Sequence, residues 1–199
     1  MLREYIPLHA TAVQRDVTYH EPSQDVPARV TLDSHALDCM TDLRQVTAVT
    51  GRVDETIDAA NDHMKQCGVR LLLVIDEARR VKGVISAADI VGERPMQVVQ
   101  SRGVRRSDVL VRDVMTPQEE LHVLHMEDVR LAKVGHIVAT LKAAGRQHAV
   151  VVDLDQHGHQ KVRGIFSASQ IARQLGVVIQ TTEVARTFAE VEAMLARGK

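Results

Sequence analysis

The chain has 199 residues, 45% hydrophobic and 26% charged with a net charge of −1, a balance that suits a globular protein of one compact domain or two small ones. That near-neutral charge supplies no basic stripe for nucleic acid, and only Tyr5, Tyr19, Phe166 and Phe188 could stack on bases. No apolar run reaches membrane-spanning length, the charged start Met1-Leu-Arg-Glu-Tyr5 lacks the apolar core of a secretory leader, and Cys39 and Cys67 are too few for a disulfide framework.

A reducing cytoplasm is the expected setting, with neither nucleic acid nor membrane as a partner. Residues 1–33 carry prolines at 7, 22 and 27 and no clear periodicity, so they read as an extended arm lying on the body or on a partner. Ser34 is a candidate N-cap for a short helix reaching Met40. Val46 to Val49 reads as a short strand. A helix then starts at Asp54-Glu-Thr56, with Ile57, Ala60 and Met64 on one face, and stops at Gly68. Five aliphatic residues, Leu71 to Ile75, predict a strand buried on both faces. Glu77 to Arg80 is a charged hairpin tip, Val81 to Ile85 the return strand, and Ala87 to Val91 a helix broken by the linker Gly92-Glu-Arg-Pro95.

Residues 96–106 connect to a second run of the same elements. Ser107-Asp108 can cap a helix up to Met115. A strand follows near His122 to His125, then a helix from Leu131 to Ala144 ended by Gly145. Ala149 to Val152 and Val162 to Phe166 are the next strands, with a longer tip between them, and a helix begins at Ala168. Val177 to Ile179 could form an edge strand. Residues 183–196 predict a helix whose stripe of Val184, Phe188, Val191 and Leu195 needs a surface to cover it.

The order of elements repeats because the sequence does. Asp38-Cys-Met-Thr41 and Asp113-Val-Met-Thr116 open two copies. Each copy carries an aliphatic strand ending in Asp (Asp76, Asp153), and then Gly83-Val-Ile-Ser86-Ala-Ala-Asp89 or Gly164-Ile-Phe-Ser167-Ala-Ser-Gln170. The offset between copies grows by a few residues, all in loops, as a tandem duplication would have it. Such units pack together, and a ligand would sit at their seam.

Ser86-x-x-Asp89 stands where a strand turns into a helix. The bland reading is a capping box, which Ser167-x-x-Gln170 also satisfies. The sharper reading adds Gly83 and Gly164, where a missing side chain would admit a flat ligand to the backbone. An exposed hydroxyl at a helix start suits a phosphate oxygen. An ionised Asp accepts from two vicinal ribose hydroxyls, whereas Gln offers one acceptor and a donor, so repeat one is the better ribose site. The ten histidines do not form a convincing metal set: His122 and His125 fall on opposite faces of a strand, and His157 and His159 flank a glycine at a loop tip. Nucleophile-elbow, P-loop and Rossmann glycine patterns are absent from the sequence.

The ordered set of Met-Thr, strand, helix, Gly, aliphatic strand, Asp and G-h-x-[S/T]-x-x-[D/N], occurring twice over residues 34–177 with Gln170 in the last place of the second copy, resembles a tandem pair of CBS (cystathionine β-synthase) domains, a Bateman module. The resemblance implies an α+β fold of two βαββα units related by a pseudo-twofold axis. The expected layout is an arm at 1–33, repeat one at 34–102, repeat two at 103–178 and a C-terminal helix at 179–199. It also implies a non-catalytic regulatory module without a required cofactor, binding AMP, ADP or ATP (or S-adenosylmethionine) and pairing as a homodimer. A protein-interaction scaffold with degenerate clefts is the alternative. Carried over by motif, Gly83, Ser86 and Asp89 match a complete ribose–phosphate site, while Gly164 and Ser167 match without the acid. Arg70 and His148, just before the aliphatic strands, would face phosphates, as basic residues do in the AMP-activated protein kinase gamma subunits this module resembles. Thr47 and Val49 would line the adenine pocket.

Overall fold

The computed structural model describes Val17 and residues 22–177. The expected C-terminal helix with its Val184, Phe188, Val191 and Leu195 stripe lies outside the described residues, as does most of the arm. The first repeat runs through a 3-10 turn at Ala36–Cys39, β1 (Thr41–Asp42), β2 (Thr50–Arg52), α1 (Ile57–Gln66), β3 (Leu71–Ile75), β4 (Val81–Ser86) and α2 (Ala87–Val91). Next come α3 (Arg94–Arg102), α4 (Val111–Val114) and β5 (Thr116–Pro117). The second repeat continues with β6 (Val123–His125), α5 (Met126–Leu131), α6 (Val134–Ala143), β7 (His148–Leu154), β8 (Gln160–Ser167) and α7 (Ala168–Gln174).

Local chemistry accounts for most of these boundaries. Thr56 Oγ1 accepts from Ala59 N at 3.2 Å and caps α1, whose Ile57, Ala60 and Met64 are buried; Gly68, at φ 65°, turns the chain out. The aliphatic run of β3 is covered on both sides, as its composition requires. Leu72 and Val74 enter the core under α1, while Leu71 and Leu73 face Val84 and Val150 between the two sheets.

Four expectations shift. The first strand lies at Thr50–Arg52 rather than at 46–49, although Val49 O already accepts from Leu73 N at 3.2 Å. Residues read as a connector contain α3, because Pro95 sits in its first turn, where proline starts a helix rather than breaking it, and Gly103 at φ 66° ends it. The helix expected from Leu131 to Ala144 is two, parted at Ala132-Lys133. Those residues are drawn straight by pairing with the N-terminal segment: Ala36 N donates to Ala132 O at 3.0 Å and Val134 N to Ser34 O at 2.9 Å. Ser34 caps no helix; its hydroxyl accepts from Thr31 N.

The sheets do not follow the order of the repeats. One has the order β2-β3-β4-β5 and the other β1-β8-β7-β6. Each repeat's opening strand therefore joins the other repeat's sheet: Gly83 and Val84 pair with Pro117 and Thr116, and Gly164 and Ile165 with Asp42 and Thr41. The cores are exchanged in the same way. Val109, Val111 and Val114 pack with Ile57, Leu72 and Ile85, while Ala36, Cys39 and Met40 pack with Ile137, Leu141 and Phe166. Burial pushes the Cys39 thiol up to about 11, so it is a core side chain and not a nucleophile at neutral pH.

The exchange explains both motif glycines. A Cβ at Gly83 would overlap the Thr116 carbonyl, and one at Gly164 would overlap Met40 Sδ and crowd the Thr41 carbonyl. Their missing side chains admit a strand, not the ligand expected from the sequence.

Unit two carries two further fastenings. Arg163 of β8 pairs with Asp42 of β1, both nearly buried, and Asp42 also accepts from Arg44 N at 2.8 Å and Gln45 Nε2 at 3.1 Å. The described part of the arm lies on this unit. Gln24 Nε2 donates to Met40 O and Gln24 Oε1 accepts from Asp42 N, like one more rung of sheet, while Gln174 Nε2 donates to Pro27 O and Asp38 O.

Candidate functional site

The two sheets meet over Leu71, Leu73, Val84 and Val150, and at one end of this seam a cleft of about 290 Å³ opens. Ser86, Ala88, Asp89 and Arg94 form its first-repeat wall; Thr116, Leu121 and His122 form its floor; Gly145 to His148 close it from the second repeat. A second, more apolar chamber of about 360 Å³ runs on beneath α6, lined by Val123, Leu124, Thr140, Leu141 and Ala149. It shares His122, Ala144, Arg146 and His148 with the cleft.

Ser86 and Asp89 form the capping box in full. Ser86 Oγ accepts from Asp89 N at 3.3 Å; Asp89 Oδ2 accepts from Ser86 N at 2.8 Å and from Ser86 Oγ at 2.7 Å. Repeat two has no such box. The Ser167 hydroxyl turns to Ser169 Oγ at 2.9 Å and caps nothing, so the capping reading holds for one copy only. Asp89 keeps its second oxygen toward the cleft, where Arg94 Nη1 lies 3.4 Å away.

His148 is partly buried in the opposite wall. Burial first, then the Arg70 guanidinium nearby, push its imidazole down to about 4. It is neutral at pH 7 and presents one donor and one acceptor nitrogen. Arg146 Nη2 reaches Glu120 O at 3.4 Å. Asp89 is the one carboxylate among the described lining residues, set against Arg94 and Arg146, so the cleft favours an anion.

Of the residues singled out in the sequence, Ser86, Asp89 and His148 meet in this cleft. Arg70 stands near His148 without lining it, and the two are not equivalent positions. Leu71 pairs with Ser86 as His148 pairs with Ser167, so the counterpart of Arg70 is Gln147. Thr47 is an exposed loop residue and Val49 packs on the core of unit one; neither borders the cleft. Gly83 and Gly164 sit under the exchanged strands, and Ser167, the register partner of His148, does not line the cleft. Sequence reasoning passed over Arg94 and Arg146. The first was hidden in an apparent linker, and the second stands two residues before His148, the position searched for a basic side chain. Among the described residues no three metal-ligating side chains converge, and no helix is long and apolar enough to cross a membrane.

Residues 35–95 match the model of the CBS domain. No curated protein matches the sequence. Among solved structures, the chain is similar to an uncharacterised conserved protein from Pyrococcus horikoshii, at 19% identity, covering 77% of this chain and 100% of that one with a TM-score of 0.53. It is also similar to a CBS-domain-containing protein from Agrobacterium tumefaciens, at 16% identity, covering 72% and 94% with a TM-score of 0.52. The first repeat carries a CBS domain, and the two repeats together have the fold of a tandem CBS pair.

Proposed function

We propose that this chain is a non-catalytic regulatory module that binds an adenosine-type nucleotide in the cleft between its repeats. The observation that carries the reading is the cleft's lining. A hydroxyl and a carboxylate stand at the start of α2, where a ribose and its phosphate could be met together, and Arg94, Arg146, His122 and His148 surround them. An apolar chamber adjoins this polar end, as a flat base requires. Nucleotide would act by differential affinity, stabilising one arrangement of the repeats over another. The module works in the cytoplasm and pairs as a homodimer, since closed twofold pairs are the commonest soluble assembly. Light scattering that finds only monomer at micromolar concentration counts against that pairing.

A thermal-shift screen with AMP, ADP, ATP and S-adenosylmethionine tests the reading. A bound nucleotide at about 100 times its dissociation constant should add roughly 2.7 kcal/mol of stability. No shift with any of the four would remove the nucleotide reading. Calorimetry should then find one dominant site per chain, because Asp89 has only Gln170 as its counterpart. Two equal sites would show that the amide serves as well as the acid. For the second repeat, the unformed capping box and Gln170 favour the other reading, a degenerate cleft retained as a protein-interaction surface.

A further inference from the structure

The carboxylate proposed to hold a ribose already has a partner. Asp89 Oδ1 faces Arg94 Nη1 at 3.4 Å. The same nitrogen donates to Val114 O at 2.9 Å and Met115 O at 3.4 Å, the carbonyls that lead into the exchanged strand β5. One corner of the guanidinium is thus fixed to the backbone beside Asp89. Its Nε and Nη2 donate to no described residue, which leaves three N–H groups of a planar fork available.

Such an arrangement treats ligands unequally. A ligand offering only vicinal hydroxyls must compete with the guanidinium for Asp89. A ligand that also carries an oxyanion gives the fork a second acceptor, so the carboxylate can turn to the hydroxyls without leaving a cation unpaired.

We infer that Arg94 is a specificity-determining residue of this cleft, selecting a phosphorylated nucleoside over the corresponding uncharged nucleoside by releasing Asp89 only when a phosphate takes the guanidinium. This rests on the nucleotide reading above. The device belongs to one cleft. At the matching carbonyl of unit two, Met40 O, the donor is the neutral amide of Gln24 from the arm, and among the described residues no arginine donates to it.

Calorimetry of the full chain with AMP and with adenosine, on the native protein and on Arg94→Gln, tests the inference. Losing a charge-assisted bond should weaken AMP roughly ten- to a hundredfold and leave adenosine unchanged or tighter. Arg94→Lys, which keeps the charge without the fork, should fall between. Equal weakening of both ligands would reduce Arg94 to a structural role, and unchanged AMP affinity would remove it from the site; either result overturns the inference. A native protein that binds adenosine as tightly as AMP overturns it too, while the nucleotide reading stands. A native protein that binds neither takes down that reading and this inference together.

Discussion

Replacing Asp42 with alanine should destabilise the protein by roughly 3–5 kcal/mol, the cost of leaving a buried charge without its partner. Arg163 would remain nearly buried between β1 and β8, its Nε without a hydrogen bond and its nearest other carboxylate, Asp153 Oδ2, 3.9 Å away and shared with Arg44. Burial already holds the Arg163 guanidinium below its ordinary range. Urea unfolding measures the loss. The paired change Asp42→Leu with Arg163→Met should recover most of it, since a buried ion pair gives little net stability over apolar side chains of similar size. A loss below about 1 kcal/mol for Asp42→Ala, the range of exposed pairs, would mean that water reaches this site.

Replacing Asp89 with asparagine should weaken nucleotide binding on the order of tenfold to a thousandfold, which is one or two charge-assisted hydrogen bonds at about 1.4 kcal/mol per decade. The free protein should change by less than about 1 kcal/mol. The amide oxygen can still accept from Ser86 N, and the forfeited contact with Arg94 involves a half-exposed guanidinium. Calorimetry and a melting curve on the same variant separate the two effects. A lowered melting temperature with intact affinity would make Asp89 a helix cap and favour the scaffold.

The sequence carried what is local. Ile57, Ala60 and Met64 share a helical face, Leu71 to Ile75 can only be a covered strand, and Ser86-x-x-Asp89 announces a helix start; all three lie where their spacing put them. Non-local structure left little trace. Strands β1 and β5 are two residues each, too short for any periodicity, and their partners lie in the opposite repeat. The break at Ala132-Lys133 is imposed by residues almost a hundred positions earlier. The cleft was half legible for the same reason. Its motif wall is one continuous segment, but Arg94 takes its place through the carbonyls of Val114 and Met115. Gly83 and Gly164 were read as openings for a flat ligand, but what fills the space beside each is the chain itself.

The exchange of opening strands also sets a timetable for synthesis. Unit one can close soon after residue 117 leaves the ribosome, since everything in its sheet lies between β2 and β5. Unit two cannot close until its end is made. Ala36, Cys39 and Met40 belong under Phe166 and Ile171, and Thr41 pairs with Ile165. At about 5–20 residues per second, the roughly 120 residues between them take about 6–25 s to appear. For that interval the apolar residues Ala36, Cys39 and Met40 wait for their cover beside a neighbour that is already folded.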